Sequence, residues 1–238
     1  MKRGLSKMML VSAGAAAAGV SAWAALRPRA LAWGATCDEV VRPLPGDDLV
    51  AYPLYVTTRA ITVGAPAAAV WPWLVQLGQN RGGFYTYDVL ENLMGLDIHS
   101  ADAIRPEWQD LHVGADYVSL DPDGYMKMTI AVLEPQRAFV ILSGAPGEPT
   151  QAPGSFFKGE IEFSWAFVLD PVNERTTRLI IRSRAAWADT PTARLAKPVL
   201  LEPVHFLMEE RMLRGIRERA ERAVPSSRCS RRCGTPSG

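Results

Sequence analysis

Few residues in this chain have types and spacings that could do chemistry. His205 is one of only three histidines in 238 residues, and its ring titrates near neutrality, so it suits a polar anchor for a ligand head group or a general base. The alternative is a core histidine bonded to a neighbour. Asp88 and Glu91 stand three apart, so on a helix their carboxylates are neighbours that repel unless a cation sits between them. Arg81 is the obvious cation, and a network of Arg81, Asp88 and Glu91 would hold a loop. The other reading is an acid/base pair whose pKa values are pushed apart. Asp97, His99 and Asp102 form D-x-H-x-x-D, a donor set that zinc or iron accepts. No H-x-x-x-H or paired-cysteine spacing supports them, so loop-stabilising hydrogen bonds are expected, with no metal and no other cofactor.

All of these residues except His205 cluster around one stretch, GQNRGGFYTYDVLENLMGLDIHS from Gly78 to Ser100. Glycine permits turns at positive φ and close backbone approach, while tyrosine offers a flat apolar body with a polar tip. The stretch suits a pocket wall or a tight loop between helices. Expected ligand contacts are Trp73, Arg81, Tyr85, Tyr87, His99, Trp165, His205 and Met208. The competing expectation for the aromatics is core packing.

The elements that would position these residues follow from periodicity. YVTTRAITV, Tyr55 to Val63, alternates as a first strand. Pro66 opens a helix from Ala67 to Gly78, kinked by Pro72. A short amphipathic helix is expected from Tyr85 to Met94, with Val89, Leu90 and Leu93 on its apolar side and Gly95 ending it. Five strands follow, Asp116 to Leu120, Tyr125 to Leu133, Arg137 to Ser143, Glu160 to Leu169 and Thr177 to Trp187, bounded by turn residues. A loop from Gly144 to Phe157 is long enough for a flap. Leu201 to Arg222 is a long helix whose stripe of Leu201, Val204, His205, Met208, Met212 and Ile216 faces inward. Consecutive strands with helices at the ends imply an α+β domain in which a curved antiparallel sheet wraps the final helix, leaving a natural apolar cavity between them.

Composition narrows the function classes. Hydrophobic residues make up 48% and charged residues 21%, with a formal charge of +1. These are globular values without the basic patch of a nucleic-acid binder. Cys37, Cys229 and Cys233 are an odd number, so no disulfide framework is indicated. Lys2, Arg3 and Lys7 precede an uncharged run from Met8 to Leu26, closed by Arg27-Pro28-Arg29. That length matches a bilayer core, so residues 1–32 are expected to be a membrane anchor with the domain outside. The Ala30-Leu31-Ala32 triplet offers a cleaved signal, and hence secretion, as the alternative. Residues 33–54 read as a lead-in arm, 55–224 as the main domain and 225–238 as a disordered tail.

The order of elements, with WGAT, LPGD, TRAITV, VWPWLVQLGQNRGGFYTYD, LDIHSADAI and EPVHFLMEERMLRGI, resembles the SRPBCC superfamily, the START-like helix-grip fold. Within it the chain is similar to the polyketide cyclase/dehydrase and lipid-transport-like proteins, over roughly Trp33 to Ala223. The resemblance implies the helix-grip fold and a cavity for a small hydrophobic ligand such as a lipid, isoprenoid or polyketide-like molecule. It carries no universal catalytic motif. The alternative is a cyclase or dehydratase using His205 or the Asp88/Glu91 pair; an interaction module held at the membrane is a third reading.

Overall fold

The structure is a computed structural model, and it describes residues 18–93, 95–114, 117–120, 127–143, 150–151, 160–188, 190–191, 194 and 197–224. Strands β1 (Tyr55–Val63), β2 (Tyr117–Ser119), β3 (Lys127–Glu134), β4 (Ala138–Ser143), β5 (Thr150–Gln151), β6 (Glu160–Asn173) and β7 (Thr176–Trp187) form one antiparallel sheet. Its order is β1-β7-β6-β4-β3-β2, with β5 on β6. The strand order explains the pairing of the chain's two ends. β1 lies on β7 over nine residue pairs from Tyr55↔Ala185 to Val63↔Thr177, so the first strand and the last meet at one edge.

Helix α1 covers 18–31, α2 is Cys37–Val41, α3 is Ala67–Val75, α4 is Asp88–Leu93 and α5 is Glu202–Ala223. A π-helical turn, Lys197–Leu201, leads into α5. Odd-numbered residues of β6 and β7 face α5. Phe167, Leu169, Leu179 and Ile181 pack there with Phe139, Ile141, Met212, Leu213 and Ile216 in one buried cluster. Each fully buried side chain of this size contributes about 1.5–3 kcal/mol.

The other face of β1 and β7 is also covered. The 33–50 segment crosses it, with Leu44, Ala60, Val168 and Ile180 forming a second small cluster. Thr36 and Glu39 cap α2 reciprocally, which satisfies two backbone donors. Arg182 then donates to the Glu39, Val40 and Arg42 carbonyls and to Asp47, and Arg178 pairs with Glu39. A two-sided strand burial follows, so Thr58 and Ala60 are as buried as Arg59 and Ile61.

Four expectations need correction. Among the described residues no helix is long and apolar enough to cross a membrane, which overturns the anchor expected for 1–32. The described part of that segment, α1, is instead held to the domain. Trp23 Nε1 donates to the Pro198 carbonyl at 2.6 Å, Arg27 bonds Glu202 at 2.6 and 2.9 Å, and the Trp23 and Phe206 rings lie 6.5 Å apart. The α3 helix stops at Val75 rather than Gly78, because the chain turns into a Gly78–Gly83 bridge. In α4 the facing is reversed: Glu91 is buried while Val89 and Leu93 are 86% and 84% exposed. In α5, Val204 lies outside the buried face, whose first turns carry Glu202 and Glu209 instead. Most of the expected flap and the whole 225–238 tail, with Cys229 and Cys233, fall outside the described residues.

Candidate functional site

The polar centre of the domain forms where β1 passes under the start of α5. Arg59 is fully buried on the α5-facing side of β1, and its guanidinium pairs with Glu209, one turn beyond His205. A buried ion pair persists only where hydrogen bonds satisfy what water would have served. Here Glu209 Oε1 accepts from Trp165 Nε1 at 2.8 Å and from Ser183 Oγ at 2.9 Å, while Oε2 accepts from Arg59. Arg59 Nε donates to the Ala30 carbonyl at 2.7 Å, which ties the end of α1 to the same centre.

His205 sits at the edge of this cluster, its side chain 25% exposed. Nδ1 lies 2.9 Å from the Tyr55 hydroxyl, and Nε2 lies 3.5 Å from Glu209 Oε1 without bonding it. Tyr55, Phe163 and Trp165 ring the imidazole at centroid distances of 5.8, 6.2 and 6.4 Å. Trp187 continues the aromatic rim 6.4 Å from Tyr55, and Lys197 Nζ lies over it at 3.9 Å.

The electrostatics follow from this packing. Burial is the largest influence on Glu209 and opposes its ionisation, yet Arg59, His205 and Ser183 together hold its carboxyl below the ordinary range. Burial pushes the His205 imidazole down, Glu209 pulls it up and Arg59 pushes it down again, leaving it lowered and therefore neutral at neutral pH. Burial pushes the Tyr55 phenol up to about 12. The cluster is thus one cation and one anion with two neutral rings.

A tautomer follows as well. A lone pair on Nε2 would face a carboxylate oxygen, so the proton belongs on Nε2 and Nδ1 accepts from Tyr55. Arg59, which lies beside the Tyr55 hydroxyl, leaves that hydroxyl its proton to donate.

The expected contact residues divide into three groups. Trp165 and His205 are together in the cluster. Trp73 and Tyr85 form a buried edge-to-face pair at 5.8 Å, with the Tyr85 hydroxyl donating to the Trp73 carbonyl at 3.1 Å. Phe84 links the two groups, stacking on Trp165 at 6.3 Å. Tyr87 is 39% exposed, and the His99 side chain is 77% exposed beside Asp97 at 3.2 Å. Met208 is half-buried on α5.

The expected Arg81–Asp88–Glu91 network is replaced by other bonds. Arg81 donates to the Val75 and Trp108 carbonyls at 3.1 and 2.5 Å, bracing the glycine-rich turn. Both Asp88 oxygens accept from Ser100, from its N–H at 2.8 Å and its hydroxyl at 2.6 Å. Glu91 is buried with Oε2 unbonded. Burial pushes its carboxyl up, Thr86 opposes this and Asp88 adds to it. Asp102 bonds Arg219 at 3.0 Å, apart from the Asp97–His99 pair, and among the described residues no group of three or more His, Cys, Asp or Glu side chains could hold a metal.

Sequence reasoning missed Tyr55, Arg59, Ser183 and Glu209. One signal was present: Arg59 stands at an inward position of a β-branched strand, and a charge there requires a buried partner.

No family model matches the chain, and none of the curated proteins does. Among solved structures the chain is similar to protein MLL2253 from Mesorhizobium loti, at 12% identity over 72% of this chain and 100% of that one, TM-score 0.41. The Zhui aromatase/cyclase from Streptomyces sp. R1128 is 17% identical over 71% of this chain and 94% of that one, TM-score 0.41. Ara h 8.0201 is 13% identical over 70% and 97%, TM-score 0.41. Likenesses this distant carry no argument about ligand or reaction. The architecture itself, a curved antiparallel sheet closed by a long C-terminal helix, is the helix-grip fold expected from the resemblance to the SRPBCC superfamily.

Proposed function

We propose that the protein binds a small hydrophobic molecule beside His205, where the start of α5 crosses the sheet. The observation that supports this most is a quarter-exposed imidazole beside a fully buried ion pair, ringed by Tyr55, Phe163 and Trp165. Aromatic rims of this kind give an apolar ligand its contact area, while a few fixed polar groups orient it. Phe163 and Trp187 are half-buried and offer their faces; Arg59 and Glu209 hold the polar end in place. Trp73 and Tyr85 back the Trp165 ring through Phe84. An acid/base role in a cyclase or dehydratase would fall to His205 rather than Asp88, both of whose oxygens bond Ser100.

Native mass spectrometry of the full chain purified from its own host tests the reading. An apolar adduct, displaced by an added apolar probe and weakened in Phe163→Ser, is expected. Adduct-free protein that also takes up no probe would overturn it.

A further inference from the structure

Helix α4 carries its side chains the wrong way round for a surface helix. Glu91 is buried, while Val89 and Leu93, two residues to either side of it, are almost fully exposed. At 3.6 residues per turn each of those apolar residues lies about 160° from Glu91. One half-turn of α4 would therefore exchange a buried carboxyl for two buried hydrocarbon side chains. Glu91 Oε2 has no hydrogen-bond partner, and a carboxylate ionised in such a place needs a paired cation. The described elements around it supply none. Asp88, on the same helix, is an anion. Asp97 and His99, on the facing segment, pair with each other at the surface. Arg81 is turned to the Val75 and Trp108 carbonyls, and Arg219 of α5 to the Ala101 carbonyl and Asp102. Burial and Asp88 both push the Glu91 carboxyl up, against the opposing Thr86 hydroxyl.

Hydrogen bonds from Ser100 to Asp88 and between Asn92 and Ile98 hold the observed facing. At the far end Gly95 stands at φ 81 with no atom within 4 Å of where a Cβ would lie, a position free to absorb a change of direction. We infer that α4 is a two-state element: with Glu91 protonated it shows Val89 and Leu93 to solvent, and with Glu91 ionised it turns to bury them and present the carboxylate. The surface beside Tyr87 is then apolar in acid and anionic at higher pH, whether or not a ligand is bound elsewhere. The sign follows from linkage. Turned out, Glu91 titrates as an ordinary carboxyl; turned in, it holds its proton more tightly. The ratio of outward to inward forms therefore grows about tenfold per pH unit between those two values and is flat on either side of them.

Methyl NMR of the full chain, labelled at valine and leucine and titrated from pH 4 to pH 8 with a neutral nitroxide in solution, reads the exposure of Val89 and Leu93. Their paramagnetic broadening is expected to be lost as pH rises, while the methyls of Val70, Leu74 and Leu213 stay unbroadened and amides 88–93 keep helical shifts. Glu91→Gln should show one exposure at every pH, its fold checked by the same core methyls. The native titration stands without the variant. Val89 and Leu93 broadened alike across the whole range overturn the inference, as does a pH response that persists in Glu91→Gln. Helical shifts lost at 88–93 as pH rises would mean that α4 melts rather than turns, which also overturns it.

Discussion

Arg59 and Glu209 were the least legible residues and they organise the most. Periodicity placed Arg59 on a strand and passed over Glu209, because a charge reads as solvent-facing until its partner is known. The two meet only through a contact 150 residues apart in sequence, which no local pattern carries. Removing one partner strands the other, so Arg59→Met or Glu209→Leu alone should cost about 3–5 kcal/mol in urea unfolding, and the double variant much less than the sum. Glu91 has the opposite sense. Its carboxyl is raised above 4.5 in the folded protein, so its contribution is fully present below that value and is lost as pH rises through the raised one. Glu91→Gln should therefore gain stability over the native chain as pH climbs from 4.5 toward neutrality, read as a widening gap in unfolding midpoints. A constant gap would contradict the burial of this group.

At the scale of elements, strands were easier to read than helix faces. Alternation and turn residues found the β1, β4, β6 and β7 segments within a few residues, since each is bounded by glycine, proline, aspartate or asparagine. The α4 facing was missed because a six-residue helix makes few contacts of its own. Asp88 bonding Ser100 and Asn92 bonding Ile98 turn its polar side inward against the 97–100 segment. Gly215 sets how closely α5 approaches the glycine-rich stretch. A Cβ there would lie 2.4 Å from the Tyr85 carbonyl oxygen, and Tyr85 itself is held at φ 57. Gly215→Ala should destabilise by about 2–3 kcal/mol, measured by chemical unfolding. The α1 helix depends on fewer ties. Trp23→Ala with Arg27→Met should speed amide exchange across 18–31 while β6 and β7 keep their protection. Unchanged exchange would mean that the Ala30–Arg59 bond alone suffices to hold it.

The described sheet packs its inner face on α5, and the 33–50 segment covers the outer face around β1, β7 and β6, with the polar cluster where β1 passes under the start of α5. The helix-grip order was legible because helices and strands occur in separate blocks along the chain. The site was legible only in His205 and Trp165, whose chemistry shows in their residue types; Tyr55 and Ser183 look like ordinary strand residues until β1, β6 and β7 are laid side by side. A membrane span was expected from an uncharged run alone, and the Trp23 and Arg27 contacts show how an alanine-rich segment can serve a protein surface instead. The central claim is that an apolar ligand settles against His205. With three histidines in the chain and the His99 and His112 side chains 77% and 66% exposed, imidazole ¹⁵N labelling gives a simple spectrum. Titration with decan-2-one should shift the His205 signals saturably and leave the other two in place; no shift, or equal shifts in all three, would contradict the account.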